Sequence, residues 1–249
     1  MSLNKIKELF KINNFDYFNL KSSESTMIDA KNHIEKGFKN FVIFADKQIS
    51  GKGRRGNEWI SPPGNLYCSI VFKNNLKLQE YYLFSMIVSL SVKSAIEIFT
   101  LKKIEFKWPN DIFFDKKKFA GMILESYQSQ KKENFVIIGL GVNYLSSPII
   151  NGYKTTYIKN FLDINSLNDF VINFFISFFA FIKNIDSQSN KKIMKKFSKS
   201  LMYLEKKIKI LNHDNTYIKG TFKGINNDGS LILDIDSKLI SVYSGSIKI

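Results

Sequence analysis

Two short apolar runs, Asn40–Asp46 and Leu66–Phe72, are separated by Lys47–Gly64, a stretch too rich in glycine and charge to form a regular element. The runs read as strands, so the chain must hold a long irregular loop between two strands of one sheet. Inside that loop lies Gly51-Lys-Gly-Arg-Arg-Gly56. The chain uses 35 lysines but only two arginines, and both stand here, as Arg54 and Arg55. Arginine presents a planar fork that grips carboxylate or phosphate bidentately, and glycine lets backbone approach a ligand closely. Three neighbouring cations repel one another, so this loop is expected to settle when an anion neutralises it.

The rest of the chain reads as α+β, a mixed or antiparallel sheet flanked by helices. Ser25 looks like a hydroxyl N-cap, with Asp29 in the first turn of a helix that Gly37 closes. Tyr81–Phe99 carries apolar residues at helical spacing. Ile104–Trp108, Asp111–Phe114, Phe119–Glu125 and Phe135–Asn143 read as strands, with Asp115–Lys118 as a hairpin turn. A greasy helix covers about Ser166 to Ile185, and a lysine-rich one runs on to near Tyr203. From Lys206 the period shifts to alternation, from Ile208 to Ile247 and Ile249, with Asn226-Asn-Asp-Gly229 as a tight-turn signal. The expected domains are 1–204 and a small barrel-like 205–249, packed together because no long linker joins them.

Several function classes drop out. One cysteine, Cys68, excludes a disulfide framework and a cysteine-rich zinc cluster. His33 and His213 lie far apart with no metal-ligand spacing, so no protein-built metal site is expected. The start lacks a signal peptide's apolar region, and Phe170–Ile182 is 13 residues long where a bilayer span needs about 20. The chain therefore reads as cytoplasmic, with no membrane partner. Gly139-Leu-Gly141 does not continue as a dinucleotide fingerprint, because position 144 is tyrosine, and no P-loop occurs. The net charge of +15 comes from lysines spread along the chain and reads as a solvated surface. A basic nucleic-acid-binding protein is the alternative of another class, but such a surface interleaves arginines with aromatics.

Other scarce residues crowd the same places. Trp59 and Trp108, with Pro62, Pro63 and Pro109, lie in Glu58-Trp-Ile-Ser-Pro-Pro-Gly-Asn-Leu-Tyr67 and Lys107-Trp-Pro-Asn-Asp111. With Lys116–Lys118 and Gly139–Asn143 they outline one anion-handling pocket that offers cations, backbone amides and aromatic walls. It holds no Ser-His-Asp set. Such a pocket positions a substrate that brings its own nucleophile and neutralises its charge.

Taken in order, Ser25-Thr26, Gln48–Gly56, Trp59–Tyr67, Lys107–Asp111, Lys118–Glu125, Gly139–Asn143 and the ending Ser244-Gly-Ser-Ile-Lys-Ile resemble a biotin–protein ligase, or biotin–[acetyl-CoA-carboxylase] ligase. The resemblance implies a class II synthetase-like catalytic domain and an SH3-like C-terminal barrel. It implies that biotin and ATP, with Mg²⁺, give biotinyl-5′-AMP, from which biotin passes to a lysine of the biotin carboxyl carrier protein. Ser25, Thr26 and Gln48 would then bind the ureido head of biotin. Lys52, Gly53 and Arg54 would close over its carboxylate, which Lys118 also reaches. Arg54, Arg55, Trp59 and Asn143 would hold the nucleotide; Asp111 would orient or deprotonate the acceptor lysine, and Lys107 would stabilise the leaving phosphate. Carboxylate attacking phosphate brings like charges together, about 4 kcal/mol of repulsion at 4 Å in an effective dielectric of 20; the cations offset it.

Two positions depart from the family pattern. Lys52 stands where arginine is common, and Met27 where a polar residue is common. Only 24 residues precede Ser25, so no helix-turn-helix and no operator DNA are expected. A homodimer is compatible with the resemblance. Lipoate–protein ligases and octanoyl transferases are the nearest alternative; the arginine loop followed by tryptophan and Pro-Pro-Gly-Asn-Leu-Tyr favours biotin.

Overall fold

The computed structural model describes residues 2–73, 81–185, 187–212 and 214–248; His213 and Ile249 lie outside them. The chain is α+β. Its elements are α1 (Ser2–Ile12), β1 (Asp16–Leu20), α2 (Thr26–Glu35), β2 (Phe41–Ala45), β3 (Leu66–Lys73), α3 (Tyr82–Glu97), β4 (Ile104–Lys107), β5 (Asp111–Phe114), β6 (Lys117–Gln128), β7 (Asn134–Val142), α4 (Leu167–Lys183) and α5 (Ser187–Ser198). Then follow β8 (Lys207–Leu211), β9 (Tyr217–Ile225), β10 (Leu231–Ile235), β11 (Lys238–Val242) and β12 (Ser246–Lys248). Among the described residues, seven strands form a mixed sheet in the order β1-β2-β3-β7-β6-β5-β4, with β1 and β2 parallel. The other five form an antiparallel sheet, β11-β10-β9-β8-β12.

Side chains alternate across a strand, and here the parity divides two cores. Even-numbered Leu66, Cys68, Ile70 and Phe72 of β3 and Val136, Ile138, Leu140 and Val142 of β7 join the large core, with the inner faces of α3 and α4. Odd-numbered Phe41, Ile43, Val71, Phe135 and Ile137 meet Met27, Ala30 and Ile34 of α2 on the other side. No helix among the described residues is long and apolar enough to cross a membrane. The greasy α4 instead buries Phe170, Phe174, Phe175 and Phe178 completely.

The sequence reading missed α1 and β1. The helix is held by tertiary packing: Phe10 meets Phe175 and Phe179 of α4 at ring-centroid distances of 4.7 and 5.7 Å. The strand is an edge strand with no fully buried position, so its apolar signal is weak. The hairpin turn is also tighter than expected. Phe114 pairs with Lys117, leaving only Asp115 and Lys116 in the turn, both at positive φ (47° and 58°). A two-residue turn of that kind matches the twist of its strands, and it brings Lys117 and Lys118 into β6.

The C-terminal sheet docks on the first. The Trp108 indole N–H donates to the Gly229 carbonyl at 2.9 Å, and Phe106 pairs with Leu201 in the approach to β8.

Candidate active site

On the odd face, from the start of α2 outward, glycines take the place of larger side chains. Register places Ser69, Gly139 and Ile123 side by side, and next to them Tyr67, Gly141, Gly121 and Asp111. A methyl group on Gly141 would strike the Trp59 indole, and one on Gly121 would lie 3.0 Å from the same ring. On Gly139 it would lie 2.7 Å from the Met27 sulfur. The glycines are thus a floor on which Trp59 and Met27 rest, under a cleft of about 590 Å³, within the range of small-molecule sites.

At one end stands the start of α2. Gln48 Oε1 accepts from the Thr26 backbone N–H (2.9 Å) and hydroxyl (3.1 Å), while Gln48 Nε2 donates to Ser61 Oγ (2.9 Å). Ser69 donates to Thr26 Oγ1 at 2.9 Å. Ser25 corrects the sequence reading. It occupies the N-cap position, but its side chain makes no capping bond. Its carbonyl and Gln48 accept from the first-turn amides instead, which leaves Ser25 Oγ buried without a partner.

At the other end the cations converge. The arginine loop closes as a small hairpin, with Lys52 bridged to Glu58 and Gly53 N–H bonded to the Asn57 carbonyl. Arg55 sits at its tip with φ 58° and is exposed, whereas Arg54 turns inward and donates to Asn110 Oδ1 at 3.4 Å. Burial, and then Arg55, holds the Arg54 guanidinium below its ordinary value, with Asp111 opposing; an arginine stays cationic regardless. Lys118 forms an ion pair with Asp111 at 2.7 Å and lies over the Trp59 ring, 5.0 Å from its centroid. Lys107 is pushed below the usual lysine value, first by burial and then by Lys248 and Lys118, against the pull of Asp111.

The structure therefore gathers Ser25, Thr26, Gln48, Lys52, Gly53, Arg54, Arg55, Trp59, Lys107, Asp111 and Lys118 around one cleft. Asn143 lies outside the lining. It is buried, its Nδ2 donates to the Thr156 carbonyl at 3.1 Å, and its Oδ1 is unpartnered. Sequence reasoning missed Tyr153, whose ring centroid lies 5.4 Å from Lys118 Nζ, and Lys248, which the C-terminal sheet contributes to the lining. Tyr153 belongs to a segment with no motif. Lys248 stood in the recognised ending Ser-Gly-Ser-Ile-Lys-Ile, where only a contact across the two sheets gives it a place. Asn65 belongs to the Pro-Pro-Gly-Asn-Leu-Tyr stretch, and its Oδ1 accepts from the amides of Tyr144, Leu145 and Ser146, holding the chain as it leaves β7.

A sequence profile described as Biotin/lipoate A/B protein ligase family matches residues 17–143, just over half of the chain. The chain belongs to that family. A second profile, Biotin protein ligase C terminal domain, matches residues 203–249 of this ligase-family chain. Among its relatives, the bifunctional ligase/repressor BirA of Bacillus spizizenii is 32% identical over 103 residues, covering 41% of this chain and 32% of the relative. The biotin–[acetyl-CoA-carboxylase] ligase of Paracoccus denitrificans is 32% identical over 108 residues, 43% of this chain and 45% of the relative. The chain thus spans about a third of the first curated relative and under half of the second. Among solved structures, biotin protein ligase from Aquifex aeolicus in complex with biotin and ATP superposes with a TM-score of 0.77 at 24% identity, over 94% of this chain and 97% of that one. That likeness establishes the family fold.

Proposed function

We propose that this protein is an ATP-dependent biotin–protein ligase, with a catalytic domain at 1–204 and a small β domain at 205–249. One observation carries the reading most. Over a single glycine floor, the cleft sets an unpartnered buried hydroxyl, Ser25 Oγ, at one end and Arg54 and Lys118 at the other. A ligand with a polar neutral head and an anionic tail fits that polarity, and biotin has both. The C-terminal profile at 203–249 favours biotin over lipoate. The name of the Paracoccus relative favours the carrier protein of acetyl-CoA carboxylase as acceptor.

In the first step a biotin carboxylate oxygen bonds to the α-phosphorus of ATP, and the bond to pyrophosphate breaks. Arg54, Lys118 and Lys52 offset the repulsion of the two anions, and Trp59 walls the nucleotide. Lys118 leaves Asp111 as it turns to the new anion. In the second step the acceptor amine bonds to the acyl carbon and AMP leaves; the freed Asp111 carboxylate takes the ammonium proton. Mg²⁺ belongs to this reading through the phosphates of ATP. Among the described residues no trio of histidine, cysteine, aspartate or glutamate is arranged to hold a metal, and the Asp111 carboxylate is paired with Lys118, so the side chains here do not make a protein-built Mg²⁺ site.

The test is pyrophosphate release from ATP with biotin or lipoate as co-substrate. Biotin-dependent release, followed by biotin on a carrier-domain lysine, is expected. Release with lipoate alone would overturn the substrate assignment.

A further inference from the structure

All five residues of Lys107–Asp111 border the cleft, yet the second of them, Trp108, is also tied to the C-terminal sheet. Trp108 is 2% exposed and lies between the two sheets. Its indole N–H donates to the Gly229 carbonyl at 2.9 Å, and its ring edge lies 3.6 Å from the place a methyl on Gly245 would take. The turn that offers this carbonyl is tied internally. Gly229 N–H donates to the Asn226 carbonyl, Asn226 N–H to the Ser230 carbonyl, and Asp228 accepts from both the amide and the hydroxyl of Ser230. Gly229 has φ +83° and packs on Tyr82 so closely that any Cβ would enter the ring. Tyr82 in turn donates its hydroxyl to the Pro109 carbonyl at 3.3 Å.

Beyond Trp108 the same backbone delivers Asn110, which accepts from Arg54, and Asp111, which pairs with Lys118. We infer that Trp108 is a positioning residue: its bond to Gly229 lets the C-terminal β unit set where Asn110 and Asp111 meet the two cations. The unit is then a structural part of the cleft, beyond the Lys248 side chain that it adds to the lining. The tie is independent of what the cleft binds; its consequence for turnover rests on the ligase reading.

Trp108→Phe keeps an aromatic ring and removes the donor. Hydrogen exchange on the full chain should quicken at least about tenfold at 107–111 and 226–230 and stay unchanged at 41–45 and 136–140. Unchanged exchange at 107–111 would overturn the inference. In the ligase assay, kcat for biotinyl-AMP formation should fall about tenfold to a hundredfold, as small displacements of positioned groups do. Biotin affinity without ATP should stay within twofold, because Ser25, Thr26 and Gln48 stand on other elements. A full kcat, or biotin affinity falling in step with kcat, would count against a positioning role. A wild-type chain that makes no biotinyl-AMP refutes the ligase reading, while the exchange result still decides the tie. If Trp108→Phe does not fold, Tyr82→Phe, which loses only the hydroxyl to Pro109, should show the same exchange pattern at smaller amplitude; no change at 107–111 would again refute the idea.

Discussion

Ser25→Ala should stabilise the free protein and weaken biotin binding. A serine at an N-cap normally contributes about 1 kcal/mol through its capping bond, but Ser25 makes none, so alanine loses nothing there. What alanine removes is a buried hydroxyl with no partner, a group whose desolvation costs about 1–3 kcal/mol. Allowing for the small void left behind, the net gain is about 1 kcal/mol, which in a chain of this size raises Tm by about 2–4 °C. In the complex the same hydroxyl would bond the head of biotin, so its loss removes about 1 kcal/mol and weakens Kd about fivefold. Thr26→Val is the control of opposite sign. Its hydroxyl donates to Gln48 and accepts from Ser69, so Tm should fall. Thermal unfolding without ligand and calorimetric titration with biotin measure both quantities. A Tm lowered by 2 °C or more in Ser25→Ala, or an unchanged Kd, would refute the reasoning.

Lys118→Ala should cut biotinyl-AMP formation about a hundredfold or more and transfer from supplied biotinyl-AMP far less; equal losses in the two half-reactions would make the lysine merely structural. Arg54→Gly should leave a folded protein that releases preformed biotinyl-AMP at least about tenfold faster, measured by chase with unlabelled adenylate; release at the wild-type rate would refute the clamp. Lys107 is held below the usual lysine value by burial first, with Lys248 adding to it, so activity that needs its charge should fall on the alkaline side earlier than an ordinary lysine would allow. Lys248→Met should move that limb upward in a pH–rate profile. In stability the sign is the reverse: between the folded and unfolded values the unfolded chain holds more protons, so the cost of burying this charge eases as pH rises through that window.

What the sequence made legible was whatever could not be placed elsewhere. Two arginines among 35 lysines, flanked by glycines, are poor material for a generic surface, and Arg54 does turn into the cleft. Strands β3 and β7 were legible because both faces are apolar over most of their length. The edge strand β1 was not, since half-buried positions carry no clear alternation. Ser25 shows a different limit. Spacing placed it at a helix start, and that was right, but spacing carries no account of where a hydroxyl points once Gln48 has taken the first amide. Tyr153 and Lys248 reach Lys118 and Lys107 only through contacts between distant segments, and no local pattern encodes those.

The glycine floor joins both kinds of information. Gly139 and Gly141 read locally as the end of an apolar strand, and Gly121 as one small residue after Phe119-Ala120. Their common meaning appears only in the register, where Gly141 and Gly121 are direct neighbours and Gly139 lies one row away on the same face. On that face side chains would displace Trp59 and Met27, which line the cleft, while on the other, Leu140 and Met122 remain buried in the core. One pair of strands therefore supplies both the rigid packing and the cleft. Because the floor is backbone, it cannot adjust to a ligand by changing rotamers. Adjustment then falls to the arginine loop and to the Lys118–Asp111 pair above it, the groups whose charges the reaction must rearrange.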